Sequence, residues 1–285
     1  MTAASLSLAV HLHLYYIEMW LEIKGYLSNI KEYPYDLYVT LTADNPKLEA
    51  EIKEFHPNTK IWKVENRGYD VGPFIDFLHH IDLDKYDLIL KIHTKSPKKG
   101  MDTTINGLRI SRKLWEKLLT RSLVGTHKLF KKNITQFEKN QRLGMIGAKH
   151  LITSEDIASA YVRRQINQAM LELGFNIPEK ITFLAGTMFF CRSKLIESIK
   201  NKYTLNDFAL TDGNIKDGTL AHVIERLLGC VIAAQGYEIK GFDTWLSHKL
   251  AFQAFCRFIY QNKITNDNRH LIKILKLPVY WRKLV

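Results

Sequence analysis

A chain of 285 residues, 46% hydrophobic and 25% charged, has the length and balance of a globular protein with a sizeable core. Lys plus Arg exceed Asp plus Glu by 41 − 29 = 12, which favours acidic partners such as nucleic acid, anionic lipid or phosphorylated small molecules. No uncharged apolar run reaches the roughly 18 residues of a spanning helix, and "AASLSLAVHLHLYY" lacks the basic start and cleavage site of a signal peptide; the expectation is a cytoplasmic protein.

The elements follow in chain order. "SLAVHLHLYY" alternates and is rich in β-formers, so it reads as a first strand, and "IEMWLEIKGYLSNI" has the apolar spacing of a helix. "YDLYVTLTAD" is a second strand closing on Asp44-Asn45-Pro46, "PKLEAEIKEF" a second helix and "TKIWKVEN" a third strand. "VGPFIDFLHHI" starts a helix with Pro73 near its first turn, and "YDLILKIHTK" is a fourth strand. This alternation predicts a mostly parallel, doubly wound α/β sheet with ligands outside the C-terminal ends of its strands. Residues 97–142 read as mostly helical and basic, "LGMIGAKHLI" and "TFLAGTMFFCR" as further strands separated by a helical segment, and "DGTLAHVIERLLGCVIAAQGYEI" as a helix capped at Asp217 or Thr219, then a short strand. The expected division is one domain over 1–248 and a basic, aromatic helical tail over 249–285. The cysteines Cys191, Cys230 and Cys256 form no CxxC pair and no metal-ligand spacing, so reduced thiols are expected.

Four stretches at strand ends carry candidate chemistry. "HLHLYY" sets His11 and His13 on one strand face and leaves Tyr15 and Tyr16 at its end, where a nucleobase or sugar can stack. "VTLTAD" offers Thr40, Thr42 and Asp44. In "ENRGYDVGPF", Asn66, Arg67 and Asp70 surround Gly68, and Gly68 and Gly72 mark backbone that turns sharply or admits a ligand, with helix N–H groups suited to a phosphate. In "YDLILKIHTK" the strand ends in Lys91, His93 and Lys95, three basic groups on one face that call for an anion among them.

Taken together, "HLHLYY", "YDLYVTLT", "NRGYDVGPF", "YDLILKIHTKS", "FLAGTMFFCR" and "DGTLAHVIERLLG" make a sequence that resembles the rhamnan synthesis protein F family of bacterial polysaccharide-assembly proteins, over roughly residues 8–240. The resemblance implies a GT-A-like fold and transfer of a sugar, of rhamnose or galactofuranose type, from a UDP- or dTDP-linked donor to a growing surface polysaccharide such as O-antigen. Transferases of that fold usually carry Asp-X-Asp at the fourth strand's end to hold a metal. Here Lys91, His93 and Lys95 stand there instead, so the expectation is metal-independent neutralisation of the leaving diphosphate. Donor contacts are assigned to His13, Tyr15, Thr40, Asn66, Arg67, Asp70, Lys91, His93 and Lys95. Acceptor contacts are assigned to Gly186, Thr187 and His222, with Gly186 leaving room for a sugar against the backbone. An inverting reaction needs one carboxylate base; Asp217 is the first candidate and Glu225 the second. The basic tail suits a lipid-linked acceptor at an anionic inner leaflet, beside other polysaccharide-assembly transferases. No nucleic-acid-binding module is present. A non-catalytic scaffold that binds donor or glycan is the alternative.

Overall fold

The computed structural model describes residues 6–95, 103–105, 108–155, 160–211, 218–242, 252, 255–256, 259–264, 269–275 and 277–283. Four strands of the N-terminal half are β1 (Leu8–His13), β2 (Asp36–Leu41), β3 (Lys60–Lys63) and β4 (Leu88–His93). Between them run the helices α1 (Trp20–Leu27), α2 (Pro46–Phe55) and α3 (Val71–His79). Asn45 caps α2 by accepting the Leu48 N–H, and Pro46 opens it, where a missing N–H is harmless.

The antiparallel pair β5 (Thr103–Ile105) and β6 (Leu108–Ile110) precedes α4 (Arg112–Val124) and α5 (His127–Lys139). Then come β7 (Leu143–Ala148), β8 (Ile152–Glu155), α6 (Ala160–Glu172), β9 (Ile181–Leu184), β10 (Phe189–Arg192), α7 (Glu197–Lys202), α8 (Leu220–Ala234) and β11 (Glu238–Phe242). The main sheet has the order β11-β7-β10-β4-β1-β2-β3. All its pairings are parallel except those of β10, which runs antiparallel to β4 and β7. This is the mostly parallel α/β sheet flanked by helices expected from the sequence.

The alternation of β1 does not separate core from solvent, because helices cover both sheet faces and the strand is buried throughout. Leu8, Val10 and Leu12 pack with α1, α2, α4 and α5. Ala9 faces the layer of α3, α6 and α8, and His11 on the same side stacks its ring on Phe77 of α3 at 4.5 Å. The sequence pattern therefore sorted two cores, with the histidines inside one of them.

Two expectations are corrected. The tail is not helical over its last part. Residues Tyr260–Ile264, Arg269–Ile274 and Leu277–Lys283 form β12, β13 and β14 of a separate antiparallel sheet. The run "HLIKILKLPVYW" is rich in β-branched and aromatic residues, and pairing between strands outweighs any helical spacing in it. Second, residues 97–142 include the β5–β6 pair before their two helices. The expected boundary after residue 248 lies outside the described residues.

Gly229 lets α8 lie directly on β9: a Cβ there would stand 2.0 Å from the Thr182 carbonyl oxygen. Alanine gains about 1 kcal/mol of helix propensity, but the clash with backbone outweighs it at roughly 1–3 kcal/mol or more. Gly229→Ala is expected to lower the urea midpoint; an unchanged or raised midpoint would show that the helix shifts freely.

Candidate active site

The strand order brings the C-terminal ends of β1, β2 and β4 to one edge. Backbone bonds tie that edge together: Leu14 N–H donates to the Thr40 carbonyl, and Thr94 N–H to the His13 carbonyl. Because β10 runs the other way, the residues before it, Gly186 and Thr187, arrive at the same edge, with Phe189 in register with Lys91.

The anion required among the three cations is Asp70. Lys91, with a side chain only 1% exposed, donates from Nζ to Asp70 Oδ2 at 2.7 Å and to the Thr187 carbonyl at 2.8 Å. Its ammonium also lies 3.2 Å from Thr187 Oγ1 and 3.5 Å from His93 Nδ1. Thr187 Oγ1 donates to the same Asp70 oxygen. The other oxygen, Oδ1, has His93 Nε2 at 3.3 Å and Lys95 Nζ at 3.7 Å. Burial would raise the Asp70 pKa, but His93, Lys91 and Lys95 outweigh it and hold the carboxyl well below the usual range. Burial pushes His93 well down and lowers Lys91 as well, in each case against the pull of Asp70.

Backbone in the left-handed region flanks both partners. Gly68 and Tyr69 have φ of +64° and +56°, and Gly186 and Thr187 have φ of +93° and +49°. A non-glycine residue held there costs on the order of 1 kcal/mol or more and persists where its surroundings over-determine it. Here they do: Tyr69 N–H donates to Thr211 Oγ1, and Thr187 is gripped by Lys91 and Asp70.

Glu225 of α8 joins the group through Gly186, whose N–H donates to Oε1 at 2.7 Å. Burial raises the Glu225 pKa; the Gly186 bond opposes that, while the charge of Asp70 adds to it. His222, one turn earlier, bonds Thr219 Oγ1 at 2.7 Å and sets its ring 6.0 Å from that of Tyr69. Lys95 Nζ lies 5.5 Å from the centre of the Trp115 ring. Tyr15, 41% exposed, packs edge-on against Tyr16 at 4.9 Å beyond the end of β1.

The structure thus gathers Asp70, Lys91, His93, Lys95, Gly186, Thr187, Glu225 and His222, and corrects several individual assignments. Lys91 is buried, with its ammonium bonded internally, and so does not face a diphosphate. His13 and Thr40 are buried; Thr40 Oγ1 sits between His13 Nδ1 at 2.9 Å and His11 Nε2 at 3.1 Å. Asn66 and Arg67 fasten the loop to residues 208–211: Asn66 Nδ2 reaches the Thr211 carbonyl at 3.4 Å and Arg67 Nη1 donates to the Phe208 carbonyl at 2.9 Å. Gly68 and Gly72 admit protein, not ligand. A Cβ would meet the Phe208 ring at 2.3 Å and the Arg67 carbonyl oxygen at 2.1 Å. The first N–H groups of α3, from Val71 and Gly72, point to the Gly68 carbonyl and are not open to phosphate. The space over Gly186 is filled by Trp115 and Leu119, each 2.9 Å from a Cβ placed there. Asp217 lies outside the described residues. Tyr69, Thr94, Trp115 and Thr211 were missed. Tyr69 was open to inference from its place inside "NRGYDVG", whereas nothing in the sequence links Trp115 to Gly186.

Asp70 is a poor metal ligand in this setting, since a divalent ion would have to displace lysine ammonium groups from its oxygens. Among the described residues, no group of three or more His, Cys, Asp or Glu side chains is placed to share an ion.

A sequence profile described as rhamnan synthesis protein F matches residues 1–237. The chain belongs to this family. Two curated relatives, both named uncharacterized protein WxcX, come from Xanthomonas campestris pv. campestris strains B100 and ATCC 33913. Each is 24% identical over 255 residues, covering 84% of this chain and 33% of its own, so the chain spans about a third of their length. Among solved structures, S. aureus TarS 1–349 is similar with a TM-score of 0.43 at 8% identity, over 78% of this chain and 55% of that one. Glucosyl-3-phosphoglycerate synthase from Mycobacterium tuberculosis, in complex with Mn2+ and UDP, has a TM-score of 0.40 at 10% identity, over 98% and 91%. Mannosyltransferase PcManGT from Pyrobaculum calidifontis, with GDP-Man and Mn2+, has 0.40 at 10%, over 88% and 63%. At this level of similarity they place no residue of this chain in a role.

Lys91→Met is expected to destabilise the protein by about 3–5 kcal/mol, because it strands a buried carboxylate; urea denaturation measures it. Adding Asp70→Asn to that variant is expected to recover part of the loss, and full additivity of the two would deny the pairing. Acidification acts in the same direction. Burial lowers His13 to about 4, so its neutral form stabilises fully above pH 6.5 and that contribution is lost as the pH falls through about 4. Asp70, depressed below 3.8, adds its loss at lower pH still. The urea midpoint is expected to fall between pH 7 and 4, with a shallower fall in His13→Gln; equal slopes would remove His13 as a cause.

Proposed function

We propose that the protein is a glycosyltransferase that moves a sugar, of rhamnose or galactofuranose type, from a UDP- or dTDP-linked donor to a growing bacterial surface polysaccharide such as O-antigen. The observation that carries this reading is the joining of Glu225 to the Asp70–Lys91–Thr187 cluster through the Gly186 N–H, at the edge where Tyr15 stands exposed beyond the end of β1. Family membership points the same way.

Roles follow from what remains available. Tyr15 and Tyr16 stack on the donor's base or sugar. Lys95, a quarter exposed and 3.7 Å from Asp70, keeps donors for the diphosphate, while Asp70 sets its position. The Gly186 N–H orients Glu225, whose raised pKa suits a general base. Glu225 takes the acceptor hydroxyl proton as that oxygen bonds to the anomeric carbon, and the nucleoside diphosphate leaves with the electron pair of the broken bond, inverting the centre. The internal pairing of Asp70 with lysines supports a metal-independent route. A lipid-linked acceptor at the inner face of the cytoplasmic membrane, shared with other polysaccharide-assembly transferases, completes the proposal. The second reading is a non-catalytic scaffold; it is favoured by the burial of Lys91, which leaves fewer cations to meet a leaving group.

Calorimetric titration with UDP and dTDP, first with EDTA and then with magnesium or manganese, tests donor binding. Equal affinity under both conditions is expected. Binding only with metal would overturn the metal-independent route, and no binding would leave the scaffold. Glu225→Gln is expected to lower kcat by roughly 10²–10⁴-fold, and wild-type activity is expected to rise with pH through a point above the ordinary carboxylate range. Near-normal turnover in Glu225→Gln, with loss in Asp217→Asn, would transfer the base to Asp217.

A further inference from the structure

The C-terminal stretch of the chain is strongly basic. Residues 249–285 contain eight Lys and Arg against one acidic residue, a net of 8 − 1 = 7 out of the chain's 12. The same segment builds the β12–β13–β14 sheet, in which β13 and β14 form a hairpin pairing Ile274 with Leu277. Such turns ordinarily take Asn, Asp or Gly, which are polar or tolerate a positive φ. Here Leu275 occupies the turn with φ +48°. Ile274, Leu275 and Leu277 are 46%, 54% and 68% exposed, and Val279 on β14 is exposed as well. This apolar hairpin tip, two residues beyond Lys273, is exposed while both solubility and backbone preference oppose it.

We propose that the β13–β14 hairpin tip docks the protein on an anionic bilayer, with Ile274, Leu275 and Leu277 among the lipid headgroups and the tail's cations against lipid phosphates. The pattern matches that surface in two respects. The aliphatic groups need an apolar phase, which a nucleic-acid backbone does not provide. The like charge of two tails opposes pairing with a second copy. The proposal specifies the surface behind the membrane location suggested above, and rests on that location without depending on catalysis.

Sedimentation with vesicles of phosphatidylcholine, alone or mixed with phosphatidylglycerol, tests it. The protein is expected to pellet with the mixed vesicles only, and less at high salt. Leu275→Ser combined with Leu277→Ser is expected to weaken that binding roughly tenfold or more, while UDP and dTDP titrations remain as in the wild type. Leu275→Gly suits the positive φ yet removes the aliphatic group, so weaker binding by a turn of unimpaired stability separates docking from folding. Equal recovery in both supernatants overturns the proposal, as does full binding by the double serine variant. Self-association without vesicles that the double variant abolishes would assign the tip to a second copy, and duplex DNA binding at physiological salt that it abolishes would assign it to nucleic acid. If UDP and dTDP binding fails while vesicle binding persists, the transferase reading fails alone.

Discussion

Asp70 sits where α3 begins and holds together parts of the chain that are far apart in sequence. Its carboxylate receives Lys91 from β4 and Thr187 from the approach to β10, with His93 and Lys95 on its other side. Burying an ion pair is seldom a gain in stability over well-packed apolar groups, because both ions lose their water. Its value is geometric. The pair allows one arrangement of the Gly186–Thr187 turn, and that turn aims the N–H that holds Glu225. The polar contacts at this edge therefore converge on one internal carboxylate.

Beneath the cluster runs a polar layer inside the sheet. His11 and His13 share Thr40 Oγ1, while His93 lies beside Lys91. Parallel register places His11 next to Lys91 and His13 next to His93, so neutral imidazoles form the floor on which the lysines rest. Charging that floor would add repulsion where Lys91 already stands, and burial together with the lysine charge keeps the rings neutral. The histidines thus belong to the support of the site, which explains why residue types associated with catalysis occupy a strand interior.

Much of the fold was legible because β1 to β4 and their helices follow local periodicity, and periodicity also placed the Lys91, His93 and Lys95 trio on one face. What escaped was whatever depends on contacts between distant segments. The partner of the trio was already named, since Asp70 was singled out, but as a donor contact; that its charge turns inward is set by the packing of α3 on the sheet. Likewise, the glycines of "NRGYDVG" announced close approach without saying that Phe208 is what approaches. The tail was misjudged for a related reason. Short apolar runs fit helix and strand periods alike, and the choice fell to cross-strand pairing in β12–β14.

The direction of β10 has a consequence for the order of events when the protein is made. The site draws on residues 70, 91, 187 and 225, and β10 can insert between β4 and β7 only once both of those strands exist. A growing chain that ends before Gly186 holds the lysine–aspartate pair without the turn that grips it, and one that ends before α8 still lacks the carboxylate that the turn aims. Such long-range closure is the slow part of folding, because the loops must be ordered before their contacts form. Residues so far apart in sequence meet only after α8 has been made, so no chain that ends before α8 carries all four groups.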